Sequence, residues 1–189
     1  MTKKTPKKKE IVVAVSGYFN PLHVGHLDMI HKAKKLGDKL VVIVNNDKQV
    51  ALKKRVPFMT EKDRMTIIKA LRDVDQVVLA VDDYQLENGE IPCIKSLAKV
   101  KPDIFANGGD RHNISNVPEY PICQKLGIKM VDGLGRKIRA SSEMIAKAAQ
   151  TKAGQAQTKT KSKAAQAKAT QVQTKSKVHA KIKTKTKNV

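Results

Sequence analysis

The chain has 189 residues, with 38 Lys and Arg against 17 Asp and Glu, and a formal charge of +21 at pH 7. The charge is concentrated at the ends, because residues 1–9 hold five lysines, residues 151–189 hold eleven, and neither range holds an acidic residue. Without these two ranges, residues 10–150 carry 22 basic and 17 acidic side chains, a charge of about +5. The overall charge therefore does not make the central region a nucleic-acid binder.

Composition excludes several other classes. Aromatic residues make up 3% and Trp is absent, which is too few for platforms that stack single-stranded bases. No apolar run approaches the roughly 20 residues of a membrane span, and no apolar segment follows the first lysines as in a secretory signal. Cys93 and Cys123 lack metal-site spacing, which favours reduced thiols. We expect a cytoplasmic protein without a membrane segment, or a nuclear one if the source is eukaryotic.

The chain-order pattern alternates strands with helices. Buried apolar runs predict strands at 11–16, 40–44, 76–81, 103–106 and 128–131. Helices are predicted between the first four strands and after the fifth: one ended by Gly37 as its C′ residue, one capped by Thr60, one opened by Pro92, and a last one capped by Ser141 and Ser142. This alternation predicts a single doubly wound, Rossmann-like α/β domain over 10–150. The flanking ranges, 1–9 and the Lys/Ala/Thr/Gln-rich 151–189, are predicted to be disordered.

Ligands of such sheets bind beyond the carboxyl ends of the strands, where the segment SGYFNPLHVGH (residues 16–26) falls. Gly17 permits a tight exit from the first strand, and Gly25 permits close packing of the following helix. His23 and His26 bracket the N-terminus of that helix, where free N–H groups and the helix dipole favour an anion. Two imidazoles in this position indicate a phosphate site.

His23-Val-Gly-His26 after Gly17-Tyr-Phe-Asn-Pro21 resembles the HxGH signature of the cytidylyltransferase-like nucleotidyltransferases. Members include glycerol-3-phosphate cytidylyltransferase, heptose-phosphate adenylyltransferases and archaeal FAD synthetases. The resemblance continues through 33–47, EKDR at 61–64, VD at 74–75, NGGD at 107–110 and RASS at 139–142, and covers essentially all of 11–148. The G-x-G-x-x-G of NAD sites and the Walker A loop are both absent.

The resemblance implies transfer of CMP or AMP from a nucleoside triphosphate to a small phosphorylated metabolite, with release of pyrophosphate and with Mg²⁺ accompanying the triphosphate. The catalytic residues it implies are His23, His26, Arg64 and one of Lys53 and Lys54. The nucleotide-binding residues it implies are Gly17, Tyr18, Phe19, Asn20, Gly25, Asn107, Gly108, Asp110, Arg139, Ser141 and Ser142. Asp47 matches a family aspartate at a strand end, and no metal ligand is predicted from the protein.

Several of these assignments have structural alternatives. Either lysine fits a solvated charge, Arg64 a surface helix residue in an exposed ion pair, and the two serines simple N-caps. Asp110 is equally suited to fixing a turn. The closing segment GRKIRASS (135–142) departs from the RTxGISTT of many relatives, so Arg136 competes with Arg139 as the cation.

The base and the acceptor stay open. The NGGDR segment is closest to adenylyl-transferring heptose enzymes, whereas the LGDxLVVxV block is shared with cytidylyl and FAD relatives. No flavin-specific or pantetheine-specific cue is present, and the loop 111–121 carries no family assignment.

A binding protein is the competing interpretation: a catalytically silent nucleotide-binding domain tethered by its basic ends to nucleic acid or another polyanion. The lysine-rich ends favour it, and the intact His23, Gly25 and His26 oppose it. In a third interpretation the ends localise an enzyme through non-specific polyanion contact, since lysines lack the bidentate readout of arginine. A homodimer is also left open.

Overall fold

The structure, a computed structural model, describes residues 9–53, 58–108, 114–135, 141, 144–147 and 150. By its internal contacts the chain divides into Met1–Ser142 and Glu143–Val189. The first unit contains the sheet and the helices that pack on it; the described residues of the second are helical. The predicted boundaries at 9/10 and 150/151 stay predictions, and the predicted disordered ends lie outside the described residues except for Lys9.

Five parallel strands form the sheet. They are β1 (Val12–Gly17), β2 (Lys39–Val44), β3 (Gln76–Leu79), β4 (Ile104–Gly108) and β5 (Lys129–Leu134). Their order is β3-β2-β1-β4-β5, and every neighbouring pair is parallel. The two central strands, β1 and β2, are rich in β-branched residues, most of which are buried. The predicted doubly wound, Rossmann-like fold is confirmed.

Helices cover both faces of the sheet. The α-helices with described bounds are α1 (Val24–Lys34), α2 (Asp47–Leu52), α3 (Glu61–Lys69), α4 (Ile94–Val100) and α5 (Tyr120–Leu126), and α1, α3, α4 and α5 pack on the sheet. On one face, Ile30 of α1 and Ile68 of α3 pack with Val13 and Val15 in one apolar cluster. On the other face, Leu97 of α4 and Cys123 of α5 join a second cluster around Phe105. Both faces of the sheet are thus buried by apolar packing, which holds the carboxyl ends of its strands in place.

Gly37 does not end α1 as predicted. The helix ends at Lys34, with Lys35 as a right-handed C-cap. The glycine is required for a different reason, since a Cβ on Gly37 would lie 2.7 Å from the carbonyl oxygen of Ile11 and 2.7 Å from Cγ2 of Val13. Position 37 therefore requires a glycine because of its close packing against β1 and the residue before it, and not because a helix ends there.

Two short helices and one helix start also differ from expectation. The residues after β2 form α2, capped by Asn46, whose side chain accepts from the backbone N–H of Gln49 at 2.8 Å. The sequence predicts no helix between the fourth and fifth strands, but α5 begins there at Tyr120, near the end of the loop predicted at 111–121, and is capped by the left-handed Gly127. The fourth helix begins at Ile94, after Pro92, and not at the proline.

Among the described residues, no helix has the length and apolar character needed to cross a membrane.

Candidate active site

The strand order reverses between β1 and β4, and the loop that follows β1 crosses this point. The loop is rigidly held. Phe19 is buried, with a left-handed φ of 50°, and buried Asn20 precedes a cis peptide bond to Pro21. The side-chain oxygen of Asn20 accepts from the backbone N–H groups of Phe58 at 2.9 Å and Met59 at 3.1 Å. These contacts place the loop at the crevice where ligands of doubly wound sheets bind.

The two histidines of the HxGH segment form one unit. His23 is the N-cap of α1 and His26 is the third residue of its first turn, so Gly25 lies between them on the helix. Their rings stack with centroids 3.7 Å apart and an interplanar angle of 15°. The rings of Phe19 and His26 are in a T-shaped arrangement, with centroids 5.0 Å apart and an interplanar angle of 68°. The predicted pair is therefore brought together at the helix N-terminus.

The electrostatics of the pair fix the state of His26. Burial and the neighbouring His23 together lower the pKa of His26 to about 4, so its ring is neutral at pH 7. The backbone N–H of His23 donates to Nδ1 of His26 at 3.3 Å. Because Nδ1 is the acceptor, the proton of the neutral ring is on Nε2. His26 is thus a hydrogen-bond donor without being a cation.

Arg64 is buried rather than exposed on its helix. It is 1% exposed, and its Nη1 donates to the carbonyl oxygens of Tyr18 and Asn45, each at 2.7 Å. Its Nη2 pairs with Oδ1 of Asp47 at 2.6 Å. The guanidinium therefore joins the loop after β1 to the end of β2. An exposed surface ion pair does not describe this residue.

Lys53 reaches the same loop from the C-cap of α2. The residue is exposed to solvent, and its Nζ lies 4.9 Å from the centre of the Tyr18 ring. A lysine held over an aromatic ring by a cation–π contact has a defined position. Lys54 lies outside the described residues.

Further predicted site residues lie at the carboxyl end of β4, next to β5. Asn107 is 9% exposed, and its amide donates to Oδ1 of Asp132 at 3.0 Å. Gly108 ends β4 opposite Leu134. The sequence analysis did not predict Asp132 as a site residue. Its partner Asn107 lies 25 residues earlier in the chain, and local patterns do not show that the two side chains meet.

The last motif is only partly described. The hydroxyl of Ser141 donates to the carbonyl oxygen of Pro21 at 3.0 Å, which brings this serine to the histidine loop. Asp110, Arg136, Arg139 and Ser142 lie outside the described residues. Within the described part of the chain, no group of three or more His, Cys, Asp or Glu side chains is arranged to hold a metal ion.

Comparison with known families decides what kind of site this is. The family model described as "Cytidylyltransferase-like" matches residues 14–168. The chain belongs to the cytidylyltransferase-like family. The resemblance that starts from the HxGH segment is thereby confirmed.

Relatives of this cytidylyltransferase-like chain include archaeal enzymes. It is 42% identical over 109 residues to the FAD synthase of Thermococcus sibiricus, covering 56% of this chain and 68% of the relative. It is 33% identical over 153 residues to the FAD synthase of Thermococcus kodakarensis, covering 80% and 89%. A solved lipopolysaccharide core biosynthesis protein from Thermoplasma volcanium superposes with a TM-score of 0.54 at 29% identity, covering 68% of this chain and 100% of that one.

The predicted activity class is confirmed by these relatives. This cytidylyltransferase-like protein is a nucleotidyltransferase: it transfers a nucleotidyl group from a nucleoside triphosphate to a small phosphorylated acceptor and releases pyrophosphate. Nothing in the comparisons favours the catalytically silent alternative. The roles of the individual site residues stay predictions.

Proposed function

We propose that the enzyme transfers AMP from ATP to the phosphate of FMN, forming FAD and pyrophosphate. The observation that carries the proposal is the similarity to FAD synthases, one of which aligns over 80% of this chain and 89% of its own length. Of the two nucleotides that the sequence left open, this favours ATP over CTP. It also selects an acceptor that the sequence alone did not indicate.

The chemistry is an in-line displacement. A phosphate oxygen of FMN attacks the α-phosphorus of ATP, a new P–O–P linkage forms, and the bond from the α-phosphorus to the bridging oxygen of the departing pyrophosphate breaks. No covalent bond to the protein is required, so catalysis consists of positioning and stabilisation of developing charge. The N-terminus of α1 supplies N–H groups and a positive dipole end for the triphosphate.

His26 is the donor best suited to the departing oxygen. Its neutral ring carries the proton on Nε2, because Nδ1 accepts from His23. A neutral donor keeps its hydrogen in place at physiological pH, and it gains strength as negative charge builds on the acceptor oxygen. His23 orients this ring by stacking on it and contributes the second imidazole of the pair.

The cation for the β- and γ-phosphates is Lys53 in this proposal, with Lys54 as the alternative. Lys53 is favoured because its Nζ lies over the ring of Tyr18, and Tyr18 belongs to the loop that leads from β1 to His23. Arg64 is better described as a positioning residue, because its side chain has 0% exposure and both of its Nη atoms donate to protein oxygens. It holds the phosphate-binding loop in shape.

The remaining predicted contacts are to the nucleoside. We expect Gly17, Tyr18, Phe19 and Asn20 to line the nucleotide site beyond β1, Asn107 and Gly108 to line it at the end of β4, and Asp110 to lie just beyond them. Ser141, bonded to Pro21, supports a role for the closing motif with Ser142 and Arg139. Mg²⁺ is proposed to arrive bound to the triphosphate.

The test uses the full chain with Mg²⁺, offering ATP or CTP with FMN, glycerol 3-phosphate or a heptose phosphate. We expect pyrophosphate release with ATP and FMN only, together with FAD as the chromatographically isolated product. Thermal shifts with each triphosphate provide an independent measure, in which ATP raises the melting temperature most. Pyrophosphate release with CTP and a sugar phosphate, without turnover of FMN, would refute the assignment.

We also propose that the lysine-rich ends make salt-sensitive, non-specific contact with a polyanion. Their support is the excess of lysine over acid in residues 1–9 and 151–189. The homodimer left open by the sequence stays a prediction, which sedimentation of the full chain would test.

A further inference from the structure

The chain from Asp47 to Glu61, which we call the excursion, links β2 to α3, and its residues 47–53 and 58–61 are described. The excursion contains α2 and Lys53, the cation proposed for the triphosphate. Its two ends are the first residues of two helices, because Asp47 opens α2 and Glu61 opens α3. The position of Lys53 therefore depends on how these two helix starts are joined.

Asp47 and Glu61 exchange hydrogen bonds. The backbone N–H of Asp47 donates to Oε2 of Glu61 at 2.8 Å, and the backbone N–H of Glu61 donates to Oδ2 of Asp47 at 3.1 Å. Each carboxylate thus caps the first turn of the other residue's helix, where an N–H group has no partner within its own helix. The two helix starts are held side by side, although 14 residues separate them in the chain.

Arg64 connects this pair of hydrogen bonds to the loop that follows β1. Its Nη2 binds Oδ1 of Asp47, the carboxylate oxygen that Glu61 leaves free, at 2.6 Å. Its Nη1 binds the carbonyl oxygen of Tyr18 at 2.7 Å. A continuous set of charge-assisted hydrogen bonds therefore runs from Glu61 through Asp47 and Arg64 to the residue whose ring contacts Lys53.

The far part of the excursion is fixed to the same loop. The N–H groups of Phe58 and Met59 both donate to the side-chain oxygen of Asn20. The excursion is thus bound to the loop that follows β1 in two places, through Arg64 at Asp47 and through Asn20 at Phe58 and Met59. Such double attachment limits where the C-terminus of α2, and with it Lys53, can lie.

We propose that Asp47 and Glu61 form a clasp that positions Lys53 for the triphosphate. Both are positioning residues and neither touches substrate. The inference rests on the proposed function, because it requires Lys53 to contact the triphosphate. A displacement of about 1 Å at a group that binds the reacting phosphates is enough to lower the rate on the order of tenfold to a hundredfold.

The test is a double-mutant cycle on the full chain with Glu61→Ala, Lys53→Ala and the combination of both. The readouts are the dissociation constant of ATP with Mg²⁺ and kcat/KM for ATP at saturating FMN. We expect Glu61→Ala to lower kcat/KM by about tenfold and to weaken ATP binding by a similar factor. In the Lys53→Ala background, removal of Glu61 should add less than about twofold, because the group that it positions is already gone.

Two further variants separate positioning from stability. Glu61→Gln keeps an oxygen that accepts from the N–H of Asp47, so we expect it to recover most of the loss. Asp75→Ala is the matched control, since it likewise removes a carboxylate that accepts from a backbone N–H, here that of Leu40 at 2.6 Å, at the opposite edge of the sheet. It should lower the melting temperature about as much as Glu61→Ala while leaving ATP affinity at the wild-type value.

Each other outcome overturns the clasp. Fully multiplicative effects of Glu61→Ala and Lys53→Ala would show that Glu61 acts independently of the lysine. Lys53→Ala with wild-type affinity for ATP would remove the group that the clasp is meant to position. Because ATP binding requires no acceptor, failure of FMN as a substrate would refute the proposed function and leave the binding cycle as a valid test of the clasp.

Discussion

The backbone N–H of His23 donates to Nδ1 of His26, and the two rings stack with centroids 3.7 Å apart. Both rings cannot readily be cations at this separation, and burial further disfavours charge on His26. The hydrogen bond decides which nitrogen of the neutral ring carries its proton. The HxGH segment therefore presents the Nε2–H of His26 as a hydrogen-bond donor at the N-terminus of α1.

His26→Asn tests this assignment directly. The asparagine oxygen can replace Nδ1 as the acceptor for the N–H of His23, but no group replaces the Nε2 donor. We expect kcat for pyrophosphate release to fall about 100-fold with little change in melting temperature. His31→Asn, on an exposed part of the same helix, is the control and should retain wild-type kcat. Wild-type turnover in His26→Asn would show that Nε2 has no catalytic role.

The lowered pKa of His26 predicts a pH dependence of stability. The folded state keeps the ring neutral down to a pKa of about 4, whereas an unfolded chain protonates it below about pH 6.5. The unfolded state thus binds more protons between these values, so stability falls as the pH is lowered through this window. Between pH 7 and pH 5 the loss attributable to His26 is about 2 kcal/mol.

The comparison with His26→Asn isolates this contribution, since other groups titrate in the same range. Denaturant unfolding at both pH values should show a smaller loss of free energy in the variant than in the wild type. Equal losses in the two proteins would mean that His26 titrates normally in the folded state.

Gly37→Ala should destabilise the fold, although its backbone conformation suits any residue. The added Cβ would meet the carbonyl oxygen of Ile11 and a methyl of Val13 at 2.7 Å, and a backbone atom cannot give way without shifting β1. We expect a loss of about 1–3 kcal/mol in the free energy of unfolding. At Gly127 the surrounding space is open and only its left-handed φ of +67° opposes a side chain. Gly127→Ala should accordingly cost about 1 kcal/mol. A smaller loss at Gly37 than at Gly127 would contradict the packing explanation.

Deletion of residues 151–189 should separate catalysis from retention on polyanions. The deleted range carries eleven lysines and no acid, so its loss should sharply lower the salt concentration that elutes the protein from heparin. We expect kcat to stay within about twofold, since the residues of the proposed site all precede this range. Replacing the same lysines with glutamine is the control that keeps chain length. A truncated enzyme without turnover would assign the tail a role in the site.

Much of this protein follows from its sequence. The apolar runs at 11–16 and 40–44 are long, β-branched and bounded by polar residues, so the sequence by itself identifies them as parallel strands buried on both faces. The HxGH segment lies between a strand and a helix, and a helix N-terminus binds anions for reasons that are local to the backbone. The fold class and the place of the histidines required only such local signals, whereas the confirmed activity class came from the resemblance of the HxGH segment and the later motifs to the cytidylyltransferase-like family.

Other features required the folded chain. The helices α2 and α5 have six and seven residues, too few for helical periodicity to stand out, and helices of this length depend on tertiary contacts for their stability. Arg64 fits an exposed helix position by its spacing, yet it lies buried among carbonyl acceptors that follow β1 and β2. The exchange between Asp47 and Glu61 and the bond between Asn107 and Asp132 join residues that are distant in the chain. Local sequence determines which backbone elements form and where a phosphate can bind. The tertiary structure decides which buried polar groups meet there, because each charge taken from water must find its partners on whichever strands the sheet places beside it.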